Sequence, residues 1–205
     1  SFSPERFFTF RCQENGDIVA KTYPIKGTRP RGEDLLHDRA LFEELASSAK
    51  DHAELHMIVD LMRNDLNTVS LRGSVAVENP GEAQSYHSVH HLVACVRSHL
   101  DPSLSLADLF RKMCPAGSIT GCPKREVMRG IAESEGRRRG YFMGNAFYFD
   151  DTGQFDSSVL IRTLVGQEER SLEYAAGSGV VVRSSPLVEL QEIADKCKVV
   201  SHNKI

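Results

Sequence analysis

No apolar run in the 205 residues approaches the roughly 18 needed for a membrane-spanning helix, and no signal-peptide pattern opens the sequence. Charge of one sign is not concentrated anywhere. Lys and Arg number 25 against 28 Asp and Glu, the net charge is −3 and the signs are interspersed, which excludes a basic face for nucleic acid and an acidic tail. Cysteine is sparse: Cys12, Cys95, Cys114, Cys122 and Cys197 lie far apart, odd in number and without C-x-x-C spacing. That argues against a disulfide frame or a zinc site and for reduced thiols in a cytoplasmic protein. Internal repeats, low-complexity linkers and H-E-x-x-H are also missing. The sequence opens at Ser1 without Met, and it is expected to be part of a longer protein. What is present is 40% apolar content, sufficient for a sizeable core.

Periodicity predicts strands at 6–12 and 18–23 around the turn Glu14-Asn15-Gly16-Asp17. A helix is predicted from about Gly32 to Met57, on the spacing of Leu35, Leu36, Leu41, Phe42, Leu45, Ala49 and Ala53. A short apolar strand at 57–62, a charged turn at Arg63-Asn64-Asp65 and a strand at 69–77 follow. Helices are expected at 88–100, 105–113 and 123–135, the last with Pro123 at its first helical position. Strands near 141–149, 158–165 and 171–183 and a closing helix from Pro186 to about Val200 complete the reading. Hairpins and helices in separate blocks give an α+β class.

Several constellations could carry chemistry. Lys26 sits in Pro24-Ile25-Lys26-Gly27-Thr28, between an apolar stretch and a glycine turn with Arg29 and Arg31 behind it; a neutral lysine amine is a nucleophile. Glu189, Glu192 and Lys196 share one face of the closing helix, as a solvated ion pair or as half of a magnesium site. Asp51 and Glu54 offer a second acidic pair. Of His87, His90 and His91, the adjacent pair cannot share one helix face, so at most one would reach a pocket. The run Gly117-Ser118-Ile119-Thr120-Gly121-Cys122-Pro123-Lys124 fails the spacing of a phosphate loop but places backbone N–H groups at a helix start, an anion site for a carboxylate. Gly177-Ser178-Gly179 marks a bulge or a close approach to a ligand, and Arg162, read as a charge within an apolar strand, either needs an anionic partner or faces outward. Together these groups suit a small dicarboxylate whose chemistry is driven by a Lewis acid.

In this order the segments resemble the chorismate-utilising enzymes, which include anthranilate synthase component I, aminodeoxychorismate synthase component I, isochorismate synthase and salicylate synthase. The resemblance rests on Ser3-Pro4-Glu5, the Pro24–Thr28 turn, Ala53-Glu54, Met57-Ile58-Val59-Asp60-Leu61-x-Arg63-Asn64-Asp65 and Val89-His90-His91-Leu92-Val93. It continues in Pro115-x-Gly117-Ser118-Ile119-Thr120-Gly121-x-Pro123-Lys124, Ile161-Arg162-Thr163, Gly177-x-Gly179 and Pro186-x-x-Glu189-x-x-Glu192-x-x-x-Lys196. The anthranilate and isochorismate branches look like P-I-A-G-[TS] where this chain has P-I-K-G-T, so it is closest to the aminodeoxychorismate branch.

The resemblance implies part of a layered two-sheet β-sandwich flanked by helices. Residues 1–205 would form one chorismate-binding catalytic domain, the C-terminal portion of a longer parent without its N-terminal half. It implies amination of chorismate at carbon 4, in para-aminobenzoate and folate biosynthesis, with ammonia from a glutamine amidotransferase subunit or domain and with Mg²⁺ as cofactor. By resemblance Lys26 is the nucleophile, Glu5 the general acid and His91 a positioning or acid/base group. Glu54 and Glu192 would ligate Mg²⁺, with Asp51 and Glu189 supporting. Gly27, Thr28, Thr120, Phe142, Arg162, Gly177, Ser178, Gly179 and Lys196 would line the substrate. An anthranilate- or isochorismate-type activity, or a fragment that only binds chorismate or a partner, are the alternatives. Departures from the family pattern are Cys114, Cys122, Phe142 in place of a substrate-binding Tyr, Phe147 in place of Gly, and Arg183 in place of Asp.

Overall fold

The computed structural model describes residues 1–167, 171–182 and 184–201. Arg183 lies outside the described residues. The chain opens with a hairpin of β1 (Arg6–Cys12) and β2 (Ile18–Thr22), then β3 (Ile25–Pro30) and helices α1 (Leu35–Ser47) and α2 (Ala49–Asn67). A long pair, β4 (Ala76–Ser85) and β5 (Val89–His99), leads to α3 (Leu106–Met113) and α4 (Lys124–Glu135). Strands β6 (Asn145–Phe149), β7 (Gln154–Val159), β8 (Leu164–Gln167) and β9 (Ser171–Tyr174) precede α5 (Pro186–Ser201). Among the described residues there is a seven-stranded sheet and a separate two-stranded β8–β9 hairpin, every pairing antiparallel. The α+β class is as the sequence predicts. No helix of the described residues is long and apolar enough to cross a membrane.

Strand β5 organises the sheet. It pairs with β4 along one edge, and with β2 and β3 in succession along the other. The predicted helix over 88–100 is therefore a strand. His90, Leu92, Ala94, Val96 and Ser98 are buried on one face, whereas Val89, His91, Cys95 and Arg97 on the other are only partly buried. This is the period of two of a pleated strand, and it is masked because Val93 and Cys95 make the second face apolar as well.

The predicted helix over 32–57 is broken at Ser48, which ends α1 with extended dihedrals and caps α2 by accepting from the Asp51 N–H at 3.3 Å. Residues 57–62 are helical rather than a strand, and Arg63-Asn64-Asp65 continues the same helix. The reason is the buried stripe Leu55, Ile58, Val59, Met62 and Leu66, which lays a continuous apolar edge on β5. The strand predicted at 69–77 begins only at Ala76. Pro123 stands one residue earlier than expected, as the N-cap of α4. The strand predicted at 141–149 begins at Asn145, after a turn in which Met143 has φ 61°. Arg162 lies between β7 and β8 rather than in a strand, and the strand predicted over 171–183 stops at Tyr174.

The core fills the space between α1, α2 and one sheet face with Leu45, Leu55, Met62, Leu92 and Val96. An aromatic group extends it: Phe8 and Phe10 each lie 4.8 Å from Phe155, and Phe110 lies 4.7 Å from Phe147. The register of β1 on β7 shifts between Arg6 and Thr9. There the Ser157 hydroxyl donates to the Phe8 carbonyl at 2.8 Å and accepts its N–H at 3.3 Å, replacing ladder bonds lost at the irregularity.

Candidate active site

The sheet face turned away from α2 is an open cleft of about 1140 Å³, with Glu5, Tyr23, Ile25, His91 and Val93 among its walls. Glu5 precedes β1, and Lys26 follows Ile25 in β3. The β3–β5 register shifts between Lys26 and Thr28, so the chain bulges at Gly27, whose φ is +68°. A side chain on Gly27 would meet Leu45 Cδ1 at 2.8 Å and the Asp51 carboxyl carbon at 3.1 Å. Glycine is thus required twice, by conformation and by the close approach of α1 and α2. Beyond the bulge, Thr28 faces His91 across the ladder, with Oγ1 3.0 Å from His91 Nδ1, and the Gly27 carbonyl is 3.3 Å from the same nitrogen.

Cationic groups converge on Glu5. Burial raises the pKa of its carboxyl, and the nearby charges of Lys26, Lys196 and Arg162 partly offset that rise. Arg162 has a left-handed backbone at φ 50°, an uncommon conformation outside glycine, and its carbonyl accepts the Phe2 N–H at 3.0 Å. It also borders a second cleft of about 620 Å³ along α5, with Leu187, Glu192 and Lys196. Lys196 donates to the Gly177 carbonyl at 2.9 Å and pairs with Glu192 at 2.5 Å. Glu189, one turn away, is held below the ordinary carboxyl pKa by the Ser184 and Ser178 hydroxyls, with the charges of Lys196 and Lys26 adding to this. Its Oε2 is buried with no hydrogen-bond partner. Gly177 lies against Phe142 and Met143, where an added Cβ would stand 3.5 Å from each side chain.

The structure thus brings Glu5, Lys26, Arg162, Gly177, Ser178, Glu189, Glu192 and Lys196 into one neighbourhood, with His91, Gly27 and Thr28 on the wall beside it. Other predicted residues are engaged elsewhere. The Thr120 hydroxyl donates to the Ala116 carbonyl at 2.8 Å, and Asp51 pairs with Arg29 at 3.1 Å. Glu54 pairs with Lys50 at 3.9 Å, and Gly179 has open space where a Cβ would be. The 117–124 segment does receive a carboxylate, but an internal one. Asp65 of α2 accepts the Gly117 N–H at 2.7 Å and pairs with Lys124 at 2.7 Å. Sequence reasoning missed this anchor, yet its signal was present: Asp65 occupies a buried position on the α2 stripe, where a carboxylate needs a partner.

Among the described residues no three His, Cys, Asp or Glu side chains form a group that could hold a metal ion. Mg²⁺ asks less than a three-acid cage, since it takes one or two carboxylates and completes its octahedron with water and ligand oxygens. Glu54 and Glu192 are donors of that chemistry, each paired with a lysine one turn away. The orphaned Glu189 Oε2 beside Lys196 adds an acceptor that awaits a positive or N–H partner. In donor chemistry the set fits.

The model of the chorismate binding enzyme family matches residues 1–202, and the chain belongs to that family. It is 43% identical over 202 residues to aminodeoxychorismate synthase component 1 of Salmonella typhimurium, covering 98% of this chain and 43% of that protein. The chain therefore spans less than half the length of that relative. The structure of anthranilate synthase component I from Streptococcus pneumoniae is similar with a TM-score of 0.76 at 32% identity, over 98% of this chain and 42% of that one. A putative 2,3-dihydroxybenzoate-specific isochorismate synthase from Bacillus anthracis gives the same TM-score at 28% identity, over 98% of this chain and 53% of its own.

Proposed function

We propose that the chain is the catalytic part of an aminodeoxychorismate synthase, a transferase that aminates chorismate at carbon 4 with ammonia to give 4-amino-4-deoxychorismate, for para-aminobenzoate and folate biosynthesis. The observation that carries this reading is Lys26, an amine whose charge acts on the carboxyls of both Glu5, in the cleft wall, and Glu189. Its amine adds to ring carbon 2, both ring double bonds shift one position round the ring, and the carbon 4 hydroxyl leaves. Glu5 donates the proton that makes this leaving group water. A carboxyl whose pKa is raised by burial is suited to that role. Ammonia then adds at carbon 4 and gives up a proton, both double bonds shift back and the Lys26 amine is expelled as it regains one, so one difficult substitution becomes two easier ones.

Arg162 and the Gly177–Gly179 backbone hold the enolpyruvyl carboxylate, His91 and Thr28 flank the ring, and Lys196 supplies positive charge fixed by Glu192 and the Gly177 carbonyl. Glu54 and Glu192 would hold Mg²⁺ on the ring carboxylate, with Asp51 and Glu189 behind; when bound, the ion supplies electrostatic polarisation of that carboxylate. Ammonia would come from a glutamine amidotransferase subunit or domain, a reading supported by the word "component" in the name of the Salmonella relative. An anthranilate- or isochorismate-type reaction is the second reading, favoured by the names of the similar solved structures and opposed by Lys26.

The test is direct. Incubated with chorismate and Mg²⁺ but no ammonia, the protein is expected to gain an adduct that mass spectrometry places on the peptide containing Lys26. The adduct is an amine and survives without reduction. Lys26→Ala should lose the adduct and the carbon 4 product together. Undiminished 4-amino-4-deoxychorismate from Lys26→Ala would remove the nucleophile role, and anthranilate or isochorismate from the unmodified protein would favour the second reading.

A further inference from the structure

His91 is held from two neighbouring strands. Its Nδ1 lies 3.3 Å from the Gly27 carbonyl and 3.0 Å from Thr28 Oγ1, both from β3. From the end of β4, the Tyr86 ring stands 5.7 Å away, edge-on at 61°. The Thr28 hydroxyl can donate or accept, but the Gly27 carbonyl only accepts, so only a protonated Nδ1 satisfies both contacts; that tautomer leaves the lone pair of the neutral ring on Nε2. Nδ1 is thus committed to β3, and the ring borders the cleft.

Both supports of His91 lead to one carboxylate. Arg31, just past β3, donates Nη1–H to the Tyr86 carbonyl at 2.7 Å, and donates from Nε and Nη2 to the two oxygens of Asp38, each at 2.7 Å. The Gly32 N–H donates to Asp38 Oδ1 at 2.9 Å, and His90 Nε2 lies 3.1 Å from the same oxygen. His90 is wholly buried, with its other nitrogen 2.8 Å from Ser85 Oγ on β4. Asp38, in the first turn of α1, therefore collects donors from the end of β3 and from β5, and reaches β4 through Arg31 and His90. The packing leaves no slack, because a Cβ on Gly32 would stand 2.2 Å from the Asp38 backbone nitrogen. The Arg31 fork holds the Asp38 carboxyl well below its usual pKa, so it stays an anion and a pure acceptor.

We propose that Asp38 is a positioning residue for His91: through Arg31, Tyr86 and the buried His90 it fixes the strands that keep His91 in the Nδ1–H tautomer, with Nε2 offered to the cleft as an acceptor. The proposal rests on the reading that His91 works beside the substrate ring, and it assigns His91 the task of taking or sharing a proton at Nε2.

The experiment is long-range ¹H–¹⁵N correlation of the histidine rings in the whole chain without substrate, at a pH where His91 is neutral. The unmodified protein is expected to show the single Nδ1–H pattern at His91. Asp38→Asn keeps the side-chain shape but loses the anion that grips Arg31, and should lose that single pattern in favour of exchange between tautomers. A merely structural role would lower the melting temperature and leave the His91 tautomer where it was, which would overturn the proposal. So would a mixed tautomer in the unmodified protein. If Asp38→Asn does not fold, Arg31→Lys decides, since it keeps the charge and loses the fork; an unchanged His91 there rejects the clamp. The spectra need no turnover. A single tautomer that depends on Asp38, in a protein that makes no 4-amino-4-deoxychorismate, would leave the clamp standing and reject only the assigned reaction.

Discussion

Replacing Lys124 by Met tests how the 117–124 segment is held. Lys124 Nζ lies 2.7 Å from Asp65 Oδ1, where the aspartate side chain is 3% exposed and the lysine 21%, and it also donates to the Met113 carbonyl at 3.0 Å. Without it, the buried carboxylate keeps, among the described residues, the Gly117 N–H alone. Removing one partner of a buried pair costs about 3–5 kcal/mol. For a chain of this length that is a fall of roughly 6–20 °C in melting temperature. Asp65→Asn should cost less, about 1.5–3 kcal/mol, because the amide oxygen can still accept from Gly117 and the lysine can reach water. The double change Asp65→Leu with Lys124→Met should be milder than Lys124→Met alone, since no unpaired charge remains. Burial already raises the Asp65 pKa against the pull of Lys124. In Lys124→Met the folded carboxyl holds its proton to still higher pH, so the folded state binds more protons than the unfolded one. Stability of the variant then falls as pH rises from the ordinary carboxyl value of 3.8 through the raised folded value, and its gap to the unmodified protein is smallest in acid. The chain has no tryptophan, so urea unfolding is followed by far-ultraviolet circular dichroism. A cost below about 1 kcal/mol for Lys124→Met, or a double variant weaker than the single one, would refute the reasoning, because exposed pairs rather than buried ones behave that way.

Glu5→Gln should raise the melting temperature near neutral pH: the native carboxyl pKa is raised, so ionisation destabilises the fold above the ordinary value of 4.5, and the advantage should vanish well below it in a pH series of thermal melts. Mg²⁺ should raise the melting temperature, more so with chorismate, and Glu192→Gln should abolish the effect; a full response in that variant returns Glu192 to a simple partner of Lys196. Arg162→Lys keeps the charge but loses the bidentate fork, so chorismate affinity by calorimetry should drop at least several-fold, and equal affinity would mean that Arg162 does not hold a carboxylate.

Much of the fold was legible where one periodicity dominated. The β1–β2 hairpin, α3, α4 and α5 fall within a few residues of the expected spans, because each has a turn or cap signal at its boundary. The errors cluster where an apolar run fits two periods. Residues 57–62 read as a strand in isolation, and only the continuation to Leu66 on the same stripe identifies a helix. Residues 88–100 read as a helix because the strand is apolar on both faces. Ser48 was the hidden signal in the first helix: one serine hydroxyl serves the start of α2 immediately after α1 ends, and no propensity sum detects such a junction.

Some local readings at the candidate site hold even where the element that carries them was misread, for a physical reason. His90 and His91 were separated on the argument that neighbours cannot share a helix face. The structure separates them on the two faces of a strand, His90 into the Asp38 network and His91 toward the cleft. Adjacent side chains diverge in either geometry, so the inference survives the wrong element. Gly27 behaves alike: glycine was expected for a hinge, and the structure adds why nothing larger fits, with Leu45 and Asp51 crossing behind it. What sequence could not supply was the partner of each charge. Asp51 was read as a support for a cation, and it is paired with Arg29, which also binds Glu44 at 3.0 Å and donates to the Thr28 carbonyl at 3.0 Å. Such pairings are long-range in sequence, set by how α1 and α2 lie across β3, and spacing along the chain carries no record of them. Arg29 thus stands where it can neutralise Asp51 while holding the strand that bears Lys26. Of the two acids read as supports for a cation, Asp51 is thus shared with a guanidinium, whereas Glu189 keeps an unpartnered oxygen.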